Sequence, residues 1–199
     1  MNVVLIDSGG ANIGSVRYAL ERLGVDAPLT ADADVIRGAD RVILPGVGAA
    51  GTAMALLHQR GLVGVIRDLR QPLLGICLGM QLLYEASEEG EVECLGLVPG
   101  VVTRMRGGEG IRIPHMGWNA LEPRNAHPLL NGIPTGAQAY FVHGYCAPVT
   151  EDTLATCTHG QTFAAVVGRG NRFGAQFHPE RSAEVGARLL QNFLSGAIA

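Results

Sequence analysis

The sequence predicts an α/β protein with a doubly wound, mostly parallel sheet of flavodoxin type, helices on both faces, and an extension of antiparallel strands. Two observations carry this prediction. In the first half, short apolar runs alternate with segments whose apolar residues recur at helical spacing, which is typical of β-α-β units. In the second half, strand-like runs separated by Gly and Pro follow one another, which favours antiparallel pairing. A length of 199 residues fits a single domain over 1–199.

The first half begins with an apolar run at Val3–Ile6, which is predicted to be a buried strand. A helix is predicted from Ile13 to Leu23, because residues 13, 16, 20 and 23 are apolar and Gly24 follows. The next predicted elements are a weak strand at 26–29, a buried strand at 41–44, a helical stretch at 51–69 with candidate breaks at Gly61 and Gly64, a buried strand at 73–77 and a helix at 78–86.

The second half is predicted to be mainly strands, at 98–103, 118–121, 138–142, 154–157, 163–167 and 173–177. Gly168–Asn171 is predicted to be the hairpin turn between the last two. A closing helix over 182–194 has Ser182 as its candidate N-cap.

Composition excludes several classes of protein. Hydrophobic residues make up 47% and charged residues 17%, as in a globular protein. The net charge of −3 argues against a nucleic-acid partner, and no apolar run approaches the roughly 18 residues of a membrane span. The N-terminus is expected to be a strand rather than a signal peptide, so the protein is predicted to be cytoplasmic. The four cysteines form no CxxC pair, so the spacing typical of a zinc site is absent.

A glycine-rich segment, Gly46–Gly51, fits the G-x-G-x-x-G pattern of dinucleotide-binding turns. That interpretation also requires an acidic residue at the end of the next strand, where this chain has Cys77. A nucleotide is therefore disfavoured. The alternative is a turn whose backbone N–H groups hold an anion or a carbonyl oxygen.

The segment Gly75–Gly79 has the G-x-S-x-G pattern of a nucleophile elbow, with Cys77 in place of Ser, between a predicted strand and a predicted helix. Such a turn exposes the nucleophile at a helix N-terminus, where the Leu78 N–H would face a developing oxyanion. The alternative is a small buried cysteine in a glycine-rich turn, which is common for cysteine alone. The combined context favours a nucleophile.

A cysteine nucleophile needs a base, and His178 in the sequence Phe-His-Pro-Glu is the candidate. In an extended segment residues i and i+2 share a side, so Glu180 could orient the His178 imidazole. The alternative is a surface His-Pro turn, and the tripeptide alone does not decide between the two.

Three of these segments together resemble the class I (triad-type) glutamine amidotransferases: Pro-Gly-Val-Gly at 45–48, Gly-Ile-Cys-Leu-Gly-Met-Gln at 75–81 and Gln-Phe-His-Pro-Glu at 176–180. Two more, Pro-His-Met-Gly-Trp-Asn at 114–119 and Tyr-Phe-Val-His at 140–143, are similar to the glutaminase subunits of imidazole glycerol phosphate synthases. The resemblance runs from Asp7 to the last helix.

The resemblance implies no metal or organic cofactor, and it implies a role for each matching position. Cys77 would be the nucleophile, His178 the general base and acid, and Glu180 the orienting carboxylate. Gly46, Val47, Gly48, Leu78 and Gln81 would form the oxyanion hole and the glutamine seat, with the Val47 peptide rearranging to turn its N–H inward. Asn12, Pro114, Met116, Trp118 and Arg181 would lie toward a cyclase subunit with a (β/α)8 barrel, which completes a heterodimer and receives the ammonia.

The chain departs from the family pattern at three places. Ser8 stands where Tyr is frequent, Gly144 where Ser often follows the histidine, and Arg181 where Lys is frequent. Two alternatives to a synthase subunit stay open. One is a stand-alone cysteine amidase or the amidotransferase of another pathway, against which the Pro-His-Met-Gly-Trp-Asn segment argues. The other is a binding or regulatory subunit that holds an anion at residues 8–11, against which the Cys-His-Glu set argues.

Overall fold

The computed structural model describes residues 1–9, 13–196 and 198. Within these residues nine strands form one mixed sheet, and four short strands form a second. The strands are β1 (Val3–Ile6), β2 (Leu29–Thr30), β3 (Arg41–Gly46), β4 (Leu73–Cys77), β5 (Ala86–Ser87), β6 (Val92–Glu93), β7 (Val101–Arg104), β8 (His115–Pro123), β9 (Ala137–His143), β10 (Tyr145–Cys146), β11 (Thr153–His159), β12 (Gln161–Arg169) and β13 (Arg172–Ala175).

Helices connect the strands of the first half and close the chain. They are α1 (Ile13–Glu21), α2 (Ala33–Arg37), α3 (Ala50–Gln59), α4 (Leu62–Arg67), α5 (Leu78–Gln81) and α6 (Ala183–Leu194). Short 3-10 turns span Pro128–Leu130 and Pro179–Arg181. No helix in the described part of the chain is long and apolar enough to cross a membrane.

The larger sheet has the strand order β2-β1-β3-β4-β13-β12-β11-β8-β9. Its first five strands are parallel to their neighbours and have the doubly wound order of flavodoxin-like proteins. In β1, Val3 and Leu5 join one buried apolar cluster, whereas Val4 and Ile6 join another on the opposite face. The predicted α/β fold with helices on both faces is therefore confirmed.

The remaining strands, β12, β11, β8 and β9, extend the sheet with four antiparallel pairs. The predicted hairpin turn at Gly168–Asn171 is confirmed, because Arg169 pairs with Arg172 across it. In the smaller sheet, with the order β10-β7-β5-β6, only β7 overlaps a predicted strand, the one at 98–103. The other three strands have only two residues each and were not predicted.

Several predicted elements have different bounds. The helix predicted over 78–86 ends at Gln81, because the chain then turns and residues 86–87 pair as β5 with β7. The stretch at 51–69 is divided at Gly61, which has φ +66°, while Gly64 lies inside α4. The strand predicted at 118–121 is longer than expected and spans His115–Pro123 as β8. Helix α2 was not predicted, although the Asp32 side chain caps its N-terminus.

Candidate active site

Cys77 lies at the junction of β4 and α5 with φ 52° and ψ −111°, a conformation that residues other than glycine rarely adopt. The glycines on either side make this turn sterically feasible. A Cβ at Gly79 would stand 1.8 Å from the carbonyl oxygen of Leu44, and one at Gly75 would stand 2.5 Å from that of Gly79. The Gly-x-Cys-x-Gly pattern thus has a direct steric cause, which is the close approach of α5 to β3.

His178 and Glu180 follow β13, the parallel neighbour of β4. The imidazole Nδ1 donates a hydrogen bond of 2.9 Å to Glu180 Oε1, and the Glu180 side chain is 1% exposed. Burial opposes a charge on His178, but hydrogen bonds and charge interactions with Cys77 and Glu180 outweigh it and raise the pKa of His178 to about 10. The structure thus brings the three residues together and favours a protonated imidazole beside the thiol.

Cys77 and His178 open into a pocket of about 260 Å³. Four other residues from the predicted site line it, namely Val47, Gly48, Leu78 and Gln81, and Arg181 lies at its wall. Gly46 does not line this pocket. It pairs with Cys77 in the β3–β4 ladder and borders the adjoining small cavity behind His178 and Glu180.

Leu78 and Gln81 line the pocket together with Cys77. Leu78 is the first residue of α5, so its N–H belongs to the helix-terminal groups that have no partner within the helix. The buried Gln81 amide donates from Nε2 to the Tyr145 carbonyl oxygen, at 3.0 Å, and to Gln176 Oε1, at 2.9 Å. The Cys77 thiol itself lies 3.7 Å from the Val142 carbonyl oxygen.

The structure adds pocket residues that sequence reasoning missed. Glu89 lines the pocket, and its Oε2 accepts from the Ala50 N–H at 2.9 Å. The segment from Val142 to Tyr145 forms the opposite wall. No local pattern marks Glu89. The one available signal for the wall was its position directly after the Tyr-Phe-Val-His segment.

Of the residues predicted to face the partner, three lie on or just before β8, and a fourth, Arg181, lies in the 3-10 turn that follows His178. Met116 and Trp118 are 63% and 53% exposed on β8, and Pro114 just before the strand is also exposed. The Arg181 guanidinium lies 4.8 Å from the centre of the Tyr140 ring, which meets Trp118 edge to face. Asn12 lies outside the described residues.

No group of three or more His, Cys, Asp or Glu side chains converges as metal ligands would in the part of the chain that the structure describes.

The structure accommodates two of the departures from the family pattern locally. The buried Ser8 hydroxyl donates to the Pro45 carbonyl oxygen at 2.7 Å, and a Cβ at Gly144 would meet no atom closer than 3.9 Å.

Residues 4–197 match the family described as glutamine amidotransferase class-I. The chain belongs to the class I glutamine amidotransferases. This amidotransferase is 67% identical over 193 residues to an imidazole glycerol phosphate synthase subunit HisH from Xanthomonas axonopodis pv. citri, with 97% of this chain and 96% of the relative covered. It is 61% identical to the subunit of the same name from Xylella fastidiosa (strain Temecula1), with 96% of each chain covered.

Solved structures of low identity share the fold of this amidotransferase. One, described as a glutamine amidotransferase, superposes with a TM-score of 0.76 at 23% identity, covering 98% of this chain and 97% of its own. The glutaminase domain of Trypanosoma brucei CTPS with bound acivicin superposes with a TM-score of 0.67 at 16% identity, covering 97% and 93%.

Proposed function

We propose that this amidotransferase is the glutaminase subunit of an imidazole glycerol phosphate synthase in histidine biosynthesis, and that residues 1–199 are one amidotransferase domain. It hydrolyses L-glutamine to L-glutamate and ammonia, and the ammonia passes to a cyclase subunit. The observation that carries the proposal is the meeting of Cys77, at its elbow, with the hydrogen-bonded pair of His178 and Glu180 in one pocket.

The chemistry follows from the geometry of this set. The Cys77 thiolate attacks the side-chain amide carbon of glutamine, and the N–H groups of Leu78 and Val47 stabilise the oxyanion. Collapse of the tetrahedral intermediate expels ammonia, which takes a proton from the His178 imidazolium and leaves a glutamyl thioester. Water then gives its proton to His178 and attacks the thioester carbon, which releases glutamate. Glu180 holds the imidazole through Nδ1, so that Nε2 faces the sulfur.

The pocket offers groups that match the rest of the substrate. Gln81 and Gly48 lie beside the path along which the glutamine side chain would reach Cys77. Glu89 supplies a carboxylate of the sign that attracts the α-ammonium group of an amino acid.

The partner is a cyclase with a (β/α)8 barrel, and the complex is a cytoplasmic heterodimer. Support for this step comes from the exposed Trp118 and Met116 on β8, since large exposed apolar side chains grouped on one face mark interaction sites. Pro114 and Arg181 would extend the same face. The cyclase forms imidazole glycerol phosphate and an aminoimidazole carboxamide ribotide from the ammonia and a ribonucleotide.

The decisive experiment measures glutamate release by the purified chain, alone and with the cyclase subunit and ribonucleotide. Cys77→Ala is expected to lower the rate by about 10⁴-fold or more, because the nucleophile is lost. Cys94→Ala, which removes another buried thiol outside the pocket, is the matched control and should keep near wild-type activity.

Two results would contradict the proposal. Glutamate release by a folded Cys77→Ala chain would exclude the nucleophile. High activity of the isolated chain, unchanged by the cyclase, would favour a stand-alone amidase.

A further inference from the structure

Three histidines that take no part in the proposed chemistry cluster beside the pocket. His115 and His143 are 3% and 6% exposed, and His159 stacks on His115 with ring centres 4.1 Å apart. The Phe141 ring also stacks on His115, with ring centres 4.9 Å apart. His143 lines the pocket, and His115 pairs with it across the β8–β9 ladder.

Hydrogen-bond partners fix the proton positions on both rings. His143 Nδ1 lies 2.8 Å from the Tyr145 carbonyl oxygen, which can only accept, so Nδ1 carries the hydrogen. In a neutral ring Nε2 is then an acceptor, and His115 Nδ1, at 3.0 Å, must donate to it. The remaining nitrogen, His115 Nε2, faces the Asn119 Nδ2 at 3.3 Å, which also donates to the Thr158 carbonyl oxygen at 2.9 Å.

Both rings are held in the neutral form that this arrangement requires. Burial, and then the neighbouring His159, lower the pKa of His115 to about 4. Burial also lowers the pKa of His143 to about 3, and His115, His159 and His178 lower it further against the opposing effect of the Tyr145 carbonyl. A single set of donors and acceptors therefore persists at neutral pH.

The row of hydrogen bonds continues to the nucleophile. The Tyr145 carbonyl that accepts from His143 also accepts from Gln81 Nε2, at 3.0 Å. The same amide donates to Gln176 Oε1, and Gln176 Nε2 lies 3.8 Å from Cys77 Sγ. One connected polar row thus runs from Asn119 to the thiol.

We propose that His115 and His143 are positioning residues for glutamine binding, an inference that rests on the proposed function. Together with Asn119, the Tyr145 carbonyl and Gln81 they form what we term the His relay. The relay holds the pocket wall and the Gln81 amide in the geometry that receives the substrate. Because Asn119 directly follows Trp118, the relay also joins this wall to the partner-facing side of β8.

A pair of variants at His115 tests the relay. In His115→Phe the ring remains but both hydrogen bonds are lost, whereas in His115→Asn the amide Nδ2 keeps a donor near the former Nδ1. Both are assayed in the complex with the cyclase subunit and ribonucleotide. His115→Phe is expected to raise KM for glutamine about 10-fold, the effect of one lost buried hydrogen bond, with kcat within about threefold of wild type.

His115→Asn should restore KM to within about threefold of wild type, because the donor to His143 is kept. His159→Phe is the matched control: this imidazole stacks on His115 but bonds the Arg112 carbonyl oxygen outside the relay, so KM and kcat should not change. An unchanged KM in His115→Phe, an equal defect in His115→Asn, or a loss confined to kcat would overturn the proposal.

A spectroscopic measurement on the wild-type chain tests the relay without any assay of activity. It therefore tests the relay even in the event that the His115→Phe variant fails to fold. Long-range ¹H–¹⁵N spectra of His143 should show a protonated Nδ1 and an unprotonated Nε2 from about pH 5 to 9. The opposite tautomer, or a charged ring in that range, would overturn the relay. Failure of the relay and failure of the proposed function give different results. If the proposed function is wrong, the wild-type complex releases no glutamate, while the His143 spectrum stays as expected.

Discussion

At the scale of the residue, Glu180 and His178 show how burial and a neighbouring carboxylate together determine whether an imidazole is protonated. The imidazole is 6% exposed, which by itself disfavours its charge, yet the interactions with Cys77 and Glu180 raise its pKa to about 10. Because this pKa lies above the value of about 6.5 for an unfolded chain, protonation of His178 stabilises the fold below pH 6.5 and this contribution is lost as pH rises through about 10.

Glu180→Gln is therefore expected to lower the pKa of His178, because an amide stabilises the imidazolium less than a carboxylate does. An NMR titration of the His178 ring measures the shift, with Asp152→Asn, which breaks a remote ion pair with Arg169, as the control. Glutamate release should slow less than in His178→Ala, since the base remains. Equal or reversed kinetic effects of the two variants would contradict the orienting role.

The sequence suggested that Ser182 caps the last helix, but in the structure its side chain links the base His178 to β9. Its buried hydroxyl donates to the His178 carbonyl oxygen at 2.7 Å and accepts from the Tyr140 N–H at 2.9 Å, and no capping bond from its side chain is formed. The local pattern predicts an N-cap, but the hydroxyl instead bonds Tyr140, which lies 42 residues away in the sequence.

Ser182→Ala is expected to lower the free energy of unfolding by about 1–3 kcal/mol, because the Tyr140 N–H is left buried without its acceptor. Urea denaturation measures the loss. Ser195→Ala removes an exposed hydroxyl that bonds Asn192 and should change stability by less than about 0.5 kcal/mol. Similar losses in the two variants would show that the bond to Tyr140 carries no special weight.

At the scale of the element, the sequence predicts best where the pattern and the burial coincide. Strand β4 has the predicted bounds, 73–77, because it is fully buried and bounded by Pro72 and the elbow. Helix α5 is much shorter than predicted, because an apolar run continues past Gln81 in a turn that is buried for tertiary reasons. Two-residue strands have no periodicity, so no pattern could have identified β5, β6 or β10.

The contact between α5 and β3 depends on Gly79. A Cβ there would overlap the backbone carbonyl of Leu44, which no rotamer change can relieve. We expect Gly79→Ala to cost about 4 kcal/mol or more in unfolding free energy, measured by urea denaturation.

Gly64→Ala is the matched control, since Gly64 lies on the exposed side of α4 with no atom within 4 Å of an added Cβ. It should stabilise the protein by about 0.5–1 kcal/mol through helix propensity. A Gly79→Ala protein as stable as wild type would refute the steric account of the elbow.

At the scale of the whole molecule, the sequence indicated the identity of the chemical groups but not how the chain brings them together. Cys77, His178 and Glu180 could be named because each stands in a local motif with a mechanical meaning. The contact of His115 with His143 depends on the β8–β9 register, and the place of Glu89 depends on the turn after β5. Neither arises from residues close in sequence, so both require the three-dimensional structure.

The same scale relates the pocket to the surface where the partner is proposed to bind. Trp118 lies exposed on β8, and Tyr140, its neighbour on β9, accepts from the His178 N–H through its carbonyl oxygen at 2.9 Å. The proposed interface is thus one strand residue away from the base.

We therefore expect Trp118→Ala to raise the Kd for the cyclase subunit roughly 30-fold, about 2 kcal/mol, as truncation of a central aromatic does at interfaces. Calorimetric titration measures the affinity, and alkylation of Cys77 by iodoacetamide checks that the site is intact. Val35→Ala is the control, because Val35 is 43% exposed on α2, which contacts β1 toward the opposite edge of the sheet. Loss of affinity in both variants, or in neither, would place the interface elsewhere on the molecule.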